Sequence, residues 1–180
     1  LRVDANAGWD VDAAIALVRK LEPLDIALIE QPVRKDDIAG MGAVQRATGI
    51  PIVGDESCQS LADVEALAAA GVRGINLKLM KAGGLTNGAA MARRARELGM
   101  KLMLGCMIET SVGVTAMAHL AGLADWLDLD GPLLIANDPF DGLRYDPHGV
   151  ISLPDRPGIG VLAKDLTGLQ NLSGLGVDYL

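Results

Sequence analysis

Asp4 in LRVDAN, Glu30 in IALIEQP and Asp55 in PIVGDES each close a short apolar run, and Lys78 in INLKLMK ends the next. Carboxylates are hard oxygen donors of the kind that octahedral Mg2+ prefers. A lysine beside such an ion is placed to remove or return a proton. Near a dication its pKa is expected to fall, which brings the neutral amine within reach at working pH. The four positions recur about every 25 residues, the length of one strand, one helix and two loops. In a barrel of βα units that period sets every strand end on one rim, where side chains from different strands converge. Asn6 and Asn76 stand where they would orient the ligands or the lysine. Glu56, beside Asp55, is read as pointing to the other side of its strand and supporting the site from behind. Lys81 is expected to be turning into the loop, where it lends charge to the site or is solvated.

The elements that must hold these residues follow from the pattern. A helix is predicted from Asp10 to Leu21, with Val11, Ala14, Ile15 and Val18 on one face and Pro23 ending it. The strand LDIALIE, a helix near 37–47, the strand PIVGD and a helix over 60–70 come next, followed by the strand GINLKLM. Gly83 and Gly84 open the helix TNGAAMARRARELG, whose Arg93, Arg94, Arg96 and Glu97 read as a solvated face. KLMLGCM is the next strand, 110–123 the next helix and DWLDLD the last strand. That gives about six βα repeats. Alternation predicts parallel strands, and strands apolar throughout predict burial on both faces. A doubly wound open sheet has the same alternation, but it would not bring successive strand ends to one point. The fold class is therefore α/β, a partial (β/α)8, TIM-like barrel. A full barrel takes about 250 residues, and this chain has 180 and opens on Leu1 inside a strand. It reads as a piece lacking the first barrel strands, with the barrel over 1–160 and a weakly patterned, disordered tail over 161–180. The stretch from Asn137 to Gly160 is rich in Gly, Pro and Asp and predicts turns with a short hairpin.

Composition narrows the function. Half of the residues are hydrophobic and 3% aromatic, and no apolar run reaches the roughly 18 residues a membrane span needs. A net charge of −7 with no basic face argues against a nucleic-acid partner, and no membrane partner is expected. Cys58 and Cys106 do not make a disulfide framework and suit a reducing, cytoplasmic compartment. Both read as small buried hydrophobes, with Cys106 the better placed to line a site. His119 sits in an Ala-rich helix and reads as structural, and His148 lies in a turn.

VDAN, EQPV, DES, KLMKAGG and GCMIET occur in that order, and the set resembles the barrel domain of the enolase superfamily, muconate-lactonizing subgroup, over roughly residues 1–160. Within the subgroup, Asp128 and Asp130 in DLDGPLL are similar to the Asp-x-Asp signature of dipeptide epimerases, where the pair holds the substrate's α-ammonium group. Two carboxylates on alternate positions of a strand end suit a cationic amine; the plainer reading is that one caps the next turn. The resemblance implies that Asp4, Glu30 and Asp55 bind Mg2+ and that Lys78 is an acid/base catalyst of α-proton abstraction through a metal-stabilised enediolate. It implies a dipeptide substrate of the L-Ala-D/L-Glu type, drawn from cell-wall peptide, and a chain that assembles as a homo-oligomer. Cys106, Met107 and Ile108 are expected to line the substrate pocket from their strand end.

The chain departs from the family in one respect. Epimerisation needs a base on each face of the α-carbon, and the family's opposing lysine lies in a Lys-x-Lys segment upstream of anything here, as does the capping domain that selects the dipeptide side chains. This chain alone is therefore expected to be inactive in epimerisation and weakened by two unpaired sheet edges. A muconate cycloisomerase or an o-succinylbenzoate synthase would use the same metal set and Lys78. Neither substrate carries an α-ammonium group, so neither explains the paired aspartates; the same argument, more weakly, sets aside an N-acyl amino acid racemase. A non-catalytic, degenerate barrel is the remaining alternative, against which the intact acidic set and Lys78 argue.

Overall fold

A computed structural model of the chain describes residues 1–164. Six short strands form one sheet: β1 (Arg2–Asp4), β2 (Leu28–Glu30), β3 (Ile52–Gly54), β4 (Gly74–Leu77), β5 (Lys101–Gly105) and β6 (Trp126–Asp128). They pair in sequence order, and every pair is parallel. Each crossover is helical: α1 (Val11–Leu21), α2 (Ile38–Arg46), α3 (Leu61–Ala69), α4 (Leu79–Ala82) with α5 (Leu85–Glu97), and α6 (Ser111–Ala118) beyond β5. The sheet is curled into part of a TIM-like barrel. Its curvature brings the Arg2 guanidinium, on the first strand, to the Leu127 carbonyl on the last, 2.9 Å away.

Local chemistry fixes the helix starts. The Asp10 carboxylate accepts from the Ala13 amide at 2.7 Å and that of Asp37 from the Gly40 amide at 2.7 Å. Ser60 and Asp63 form a reciprocal capping box at the start of α3. The fourth strand is shorter than its apolar pattern predicts: the sequence KLM does not continue it, and Leu79 begins the helical turn α4, which Gly83 closes with φ +78°. The predicted helix over 110–123 is likewise divided, into α6 and a 3-10 turn at Ala121–Leu123.

The two sheet faces separate by strand periodicity. Ile29, Ile52, Ile75, Leu77, Leu102 and Leu104 face outward and join the buried residues of the helices in one core. Leu28, Val53 and Met103, with Trp126 against them, form a second, small cluster on the inner face. Two residues beyond each inner position stands a polar group or a glycine on the same face: Glu30 after Leu28, Asp55 after Val53, Gly105 after Met103, Asp128 after Trp126. The inner apolar layer is thus a floor beneath a ring of polar strand ends.

After β6 the chain leaves the βα pattern. β7 (Phe140–Asp141), β8 (Arg144–Tyr145), β9 (Ile151–Ser152) and β10 (Leu162–Ala163) pair antiparallel as β7 with β10 and β8 with β9, the latter being the predicted hairpin. β10 falls inside the stretch read as tail; the rest of that stretch, from residue 165, lies outside the described residues. His119 follows α6, its Nε2 3.3 Å from the Ile159 carbonyl, and His148 is exposed in the hairpin turn. Arg94 pairs with Glu65 and Glu97, and Arg96 with Asp125. No helix among the described residues is long and apolar enough to cross a membrane.

Candidate active site

The inner rim gathers the acidic strand ends around Lys78. Asp4 and Glu30 are opposite one another in the β1–β2 register. Glu30 is buried, and the Asn76 amide donates to its Oε1 at 2.7 Å. Burial pushes the Glu30 carboxyl up to about 7; the Asn76 bond opposes this, while the charges of Asp55 and Asp4 add to it. That the charges of Asp55 and Asp4 add to the rise at Glu30 marks the spot as short of positive charge, and the all-oxygen donors of the ring suit a hard dication. As the side chains stand, no three His, Cys, Asp or Glu groups among the described residues converge closely enough to enclose an ion. The reason is visible at Asp55: one oxygen accepts from Lys78 Nζ at 2.8 Å and the other from Lys81 Nζ. The donor set fits a divalent cation in chemistry and strand position, with Asp55 occupied by ammonium groups instead.

Of the two roles expected of Lys81, charge support and solvation, the structure has the first, though from a helical turn and not from a loop. Because the chain coils into α4 directly after β4, residue 81 comes back over the strand end, and its ammonium also donates to the Asp55 carbonyl at 2.5 Å. It is partly buried against the site and is not a solvated loop residue. Burial disfavours the charge of Lys78, but the hydrogen bond to Asp55 and the charges of Asp55, Glu30 and Glu56 outweigh it and raise its pKa. Glu56 lies close enough to act on Lys78 by charge, and its Oε2 is buried without a hydrogen-bond partner. Asn6, at φ 48°, touches the site through its main chain: its amide donates to Asp4 Oδ1 at 2.8 Å.

Two residues outside the sequence reading hold this ring. Gln31, fully buried and at φ 34°, is a hub. Its Oε1 accepts from the amides of Asp55 at 2.9 Å and Ser57 at 3.1 Å, and its Nε2 donates to the Val33 carbonyl and to Ser57 Oγ, each at 2.8 Å. A polar residue directly after a strand-end acid, ahead of a proline, was its only signal. Gly105 makes room for Asn76: a Cβ there would lie 2.4 Å from Asn76 Oδ1 and 2.8 Å from Nδ2.

The aspartate pair sits beside the ring. Asp128 ends β6, while Asp130 lies two residues past it, just before a 3-10 turn over Gly131–Leu134, and not on the strand. Burial raises the Asp128 pKa, Asp130 raises it further, and Arg2 and Lys78 oppose. Cys106 is half-buried against this segment, its thiol 3.4 Å from the Asp128 carbonyl. Burial raises the Cys106 pKa. Met107 and Ile108 are carried past the end of β5 and are exposed, Ile108 to 71%.

Residues 1–165 match the family model described as Enolase C-terminal domain-like. Among curated relatives, the L-Ala-D/L-amino acid epimerase of a Maribacter species is 40% identical over 160 residues, covering 89% of this chain and 47% of the relative. The L-Ala-D/L-Glu epimerase of Bacteroides thetaiotaomicron is 42% identical over 163 residues, covering 90% and 42%. Among solved structures, the dipeptide epimerase of Cytophaga hutchinsonii complexed with Mg and D-Ala-L-Val superposes with a TM-score of 0.87 at 35% identity, covering 92% of this chain and 46% of that one. The chain spans about half the length of the curated relatives it matches.

Proposed function

The chain belongs to the enolase C-terminal domain-like family, and from that premise we propose that it supplies the catalytic rim of a Mg2+-dependent dipeptide epimerase of the L-Ala-D/L-Glu type. The observation that carries this reading is the pair Asp128 and Asp130 beside a rim that holds Asp4, Glu30, Asp55 and Lys78. Two neighbouring carboxylates, of which Asp130 adds to the raised proton affinity of Asp128, are completed by a cation, and the α-ammonium group of a dipeptide is one of the right size and charge. The names of the relatives point the same way.

Asp4, Glu30 and Asp55 would hold the Mg2+. A divalent cation there supplies the counter-charge that makes a proton α to the substrate carboxylate removable. Lys78 Nζ removes that proton from one face and returns it. Asn76 keeps the Glu30 carboxylate oriented through its 2.7 Å bond. Lys81 holds Asp55 from the loop side. Asp128 and Asp130 fix the amino end, so that the α-carbon is presented to Lys78 in one orientation. Met107 and Ile108 would lie along the dipeptide side chains. Inversion takes a second base on the opposite face, and apart from Lys78 and Lys81 no lysine stands at an inner strand end among the described residues. The opposing base is proposed to lie outside them. The proposed setting is the cytoplasm, with peptides of the cell wall as substrates and a homo-oligomeric assembly.

The protein expressed from its complete open reading frame, incubated with Mg2+ and L-Ala-L-Glu in D2O, should incorporate deuterium at the C-terminal residue's α-carbon with inversion. The exchange should disappear in Lys78→Ala. A wild-type protein that binds Mg2+ but exchanges no dipeptide α-proton would sink the epimerase reading.

A further inference from the structure

We infer that Tyr145, on the hairpin that follows the barrel strands, is a positioning residue for the aspartate pair; the inference rests on the reading of Asp128 and Asp130 as an ammonium site. Ladder pairing between β5 and β6 ends at Gly105 opposite Asp128, so the peptide units just beyond have no strand neighbour to bond. A carboxylate pair on free backbone would not keep its spacing. Here that backbone is held at three successive peptide units by side chains from elsewhere in the fold. The Cys106 thiol lies 3.4 Å from the Asp128 carbonyl. The Tyr145 hydroxyl donates to the Leu129 carbonyl at 2.5 Å. The Gly131 amide donates back to Cys106 Sγ at 3.3 Å. The Leu129 side chain between the two acids is buried in the core, and both acids are exposed.

The hairpin is itself anchored, which is what lets Tyr145 act as a fixed point. The Leu143 amide donates to Thr115 Oγ1, in α6, at 2.8 Å. Gly142 permits that approach, since a Cβ there would lie 2.4 Å from the same oxygen. Upstream, the Asp138 carboxylate accepts from the amide and hydroxyl of Ser111, the first residue of α6. Helix, hairpin and aspartate segment form one braced unit, and among the described residues the phenol hydroxyl is the one side chain bonded to the Leu129 carbonyl.

The test compares two ligands of the protein expressed from its complete open reading frame, with Mg2+ present, by calorimetry: L-Ala-L-Glu, and propanoyl-L-glutamate, which differs only in lacking the amine. Wild type should bind the dipeptide more tightly. Tyr145→Phe, which keeps the ring and loses one hydrogen bond, should weaken the dipeptide about threefold to tenfold and leave propanoyl-L-glutamate within about twofold. Equal weakening of both ligands, or no weakening of the dipeptide, overturns the inference while the ammonium site stands. A wild-type protein that does not distinguish the two ligands overturns the ammonium site and the inference with it. Should Tyr145→Phe not fold, the same comparison is made at Cys106. Cys106→Ser keeps a donor and an acceptor and should keep the preference for the amine, whereas Cys106→Ala should narrow it. Identical behaviour of those two variants would overturn the clamp.

Discussion

Gln31→Leu is expected to cost about 3 kcal/mol of folding stability. Leucine has nearly the volume of glutamine and fits the same buried position, so the change isolates the amide. What it removes is definite: the acceptor for the amides of Asp55 and Ser57, and the donor to the Val33 carbonyl and Ser57 Oγ. Ser57 Oγ keeps its own bond to the Lys35 carbonyl. Two buried N–H groups are left without partners, each costing about 1–3 kcal/mol, and the gain from burying leucine offsets part of their sum. Against a total stability of about 5–15 kcal/mol, the loss would be large. Urea unfolding followed by circular dichroism measures it, with an unchanged m-value as the check that only stability has moved. Native-state hydrogen exchange adds a local readout, since the Asp55 amide should lose protection. A loss below about 1 kcal/mol, with the Asp55 amide still protected, would show that the loop carrying Asp55 does not depend on Gln31 and would refute the reasoning.

Gly105→Ala should displace Asn76 and break its bond to Glu30, at a cost of about 2 kcal/mol; in an Asn76→Ala background the same change should cost little, and additive urea-unfolding energies would contradict the close approach. Mg2+ should raise the melting temperature, by about 2.7 kcal/mol of stability at a hundredfold excess over its Kd, and Glu30→Gln should abolish the effect in a thermal-shift assay; an undiminished shift would place the ion elsewhere. Asp125 tests the electrostatics away from the site. Burial raises its pKa, but bonds to Lys101, the Leu102 amide and Arg96 prevail and lower it. A lowered folded pKa gives stability that is present above the unfolded value, about 3.9, and lost as pH falls through the folded one. Wild type should therefore exceed Asp125→Asn by a constant margin from about pH 5 to 8 and lose that margin below about pH 4; a margin that persists in acid would show that the lowered pKa is not its source.

The barrel strands and the acidic set were legible because both depend on short-range regularities. An inner position followed two residues later by a strand-end acid is a property of pleating, and it places Glu30, Asp55 and Asp128 on one face without knowledge of the fold. The role of Lys81 stayed open between charge support and solvation because the pattern INLKLMK does not say where a strand gives way to a helical turn, and that transition decides whether a side chain three residues on leaves the site or returns to it. Gln31, Gly105 and Tyr145 were not legible, each for a different reason. Gln31 acts through main-chain atoms of residues far along the chain, Gly105 through the absence of an atom, and Tyr145 through contacts between segments that share no periodicity.

The single bond from Arg2 to the Leu127 carbonyl joins residues 125 apart in the chain. Contacts of such long sequence separation form slowly, because the entropy of closing the intervening loop must be met before the contact rewards it. The sequential pairing of each strand with the next spans far shorter loops, so the bond between the first strand and the last is expected to form after the sheet has been laid down strand by strand.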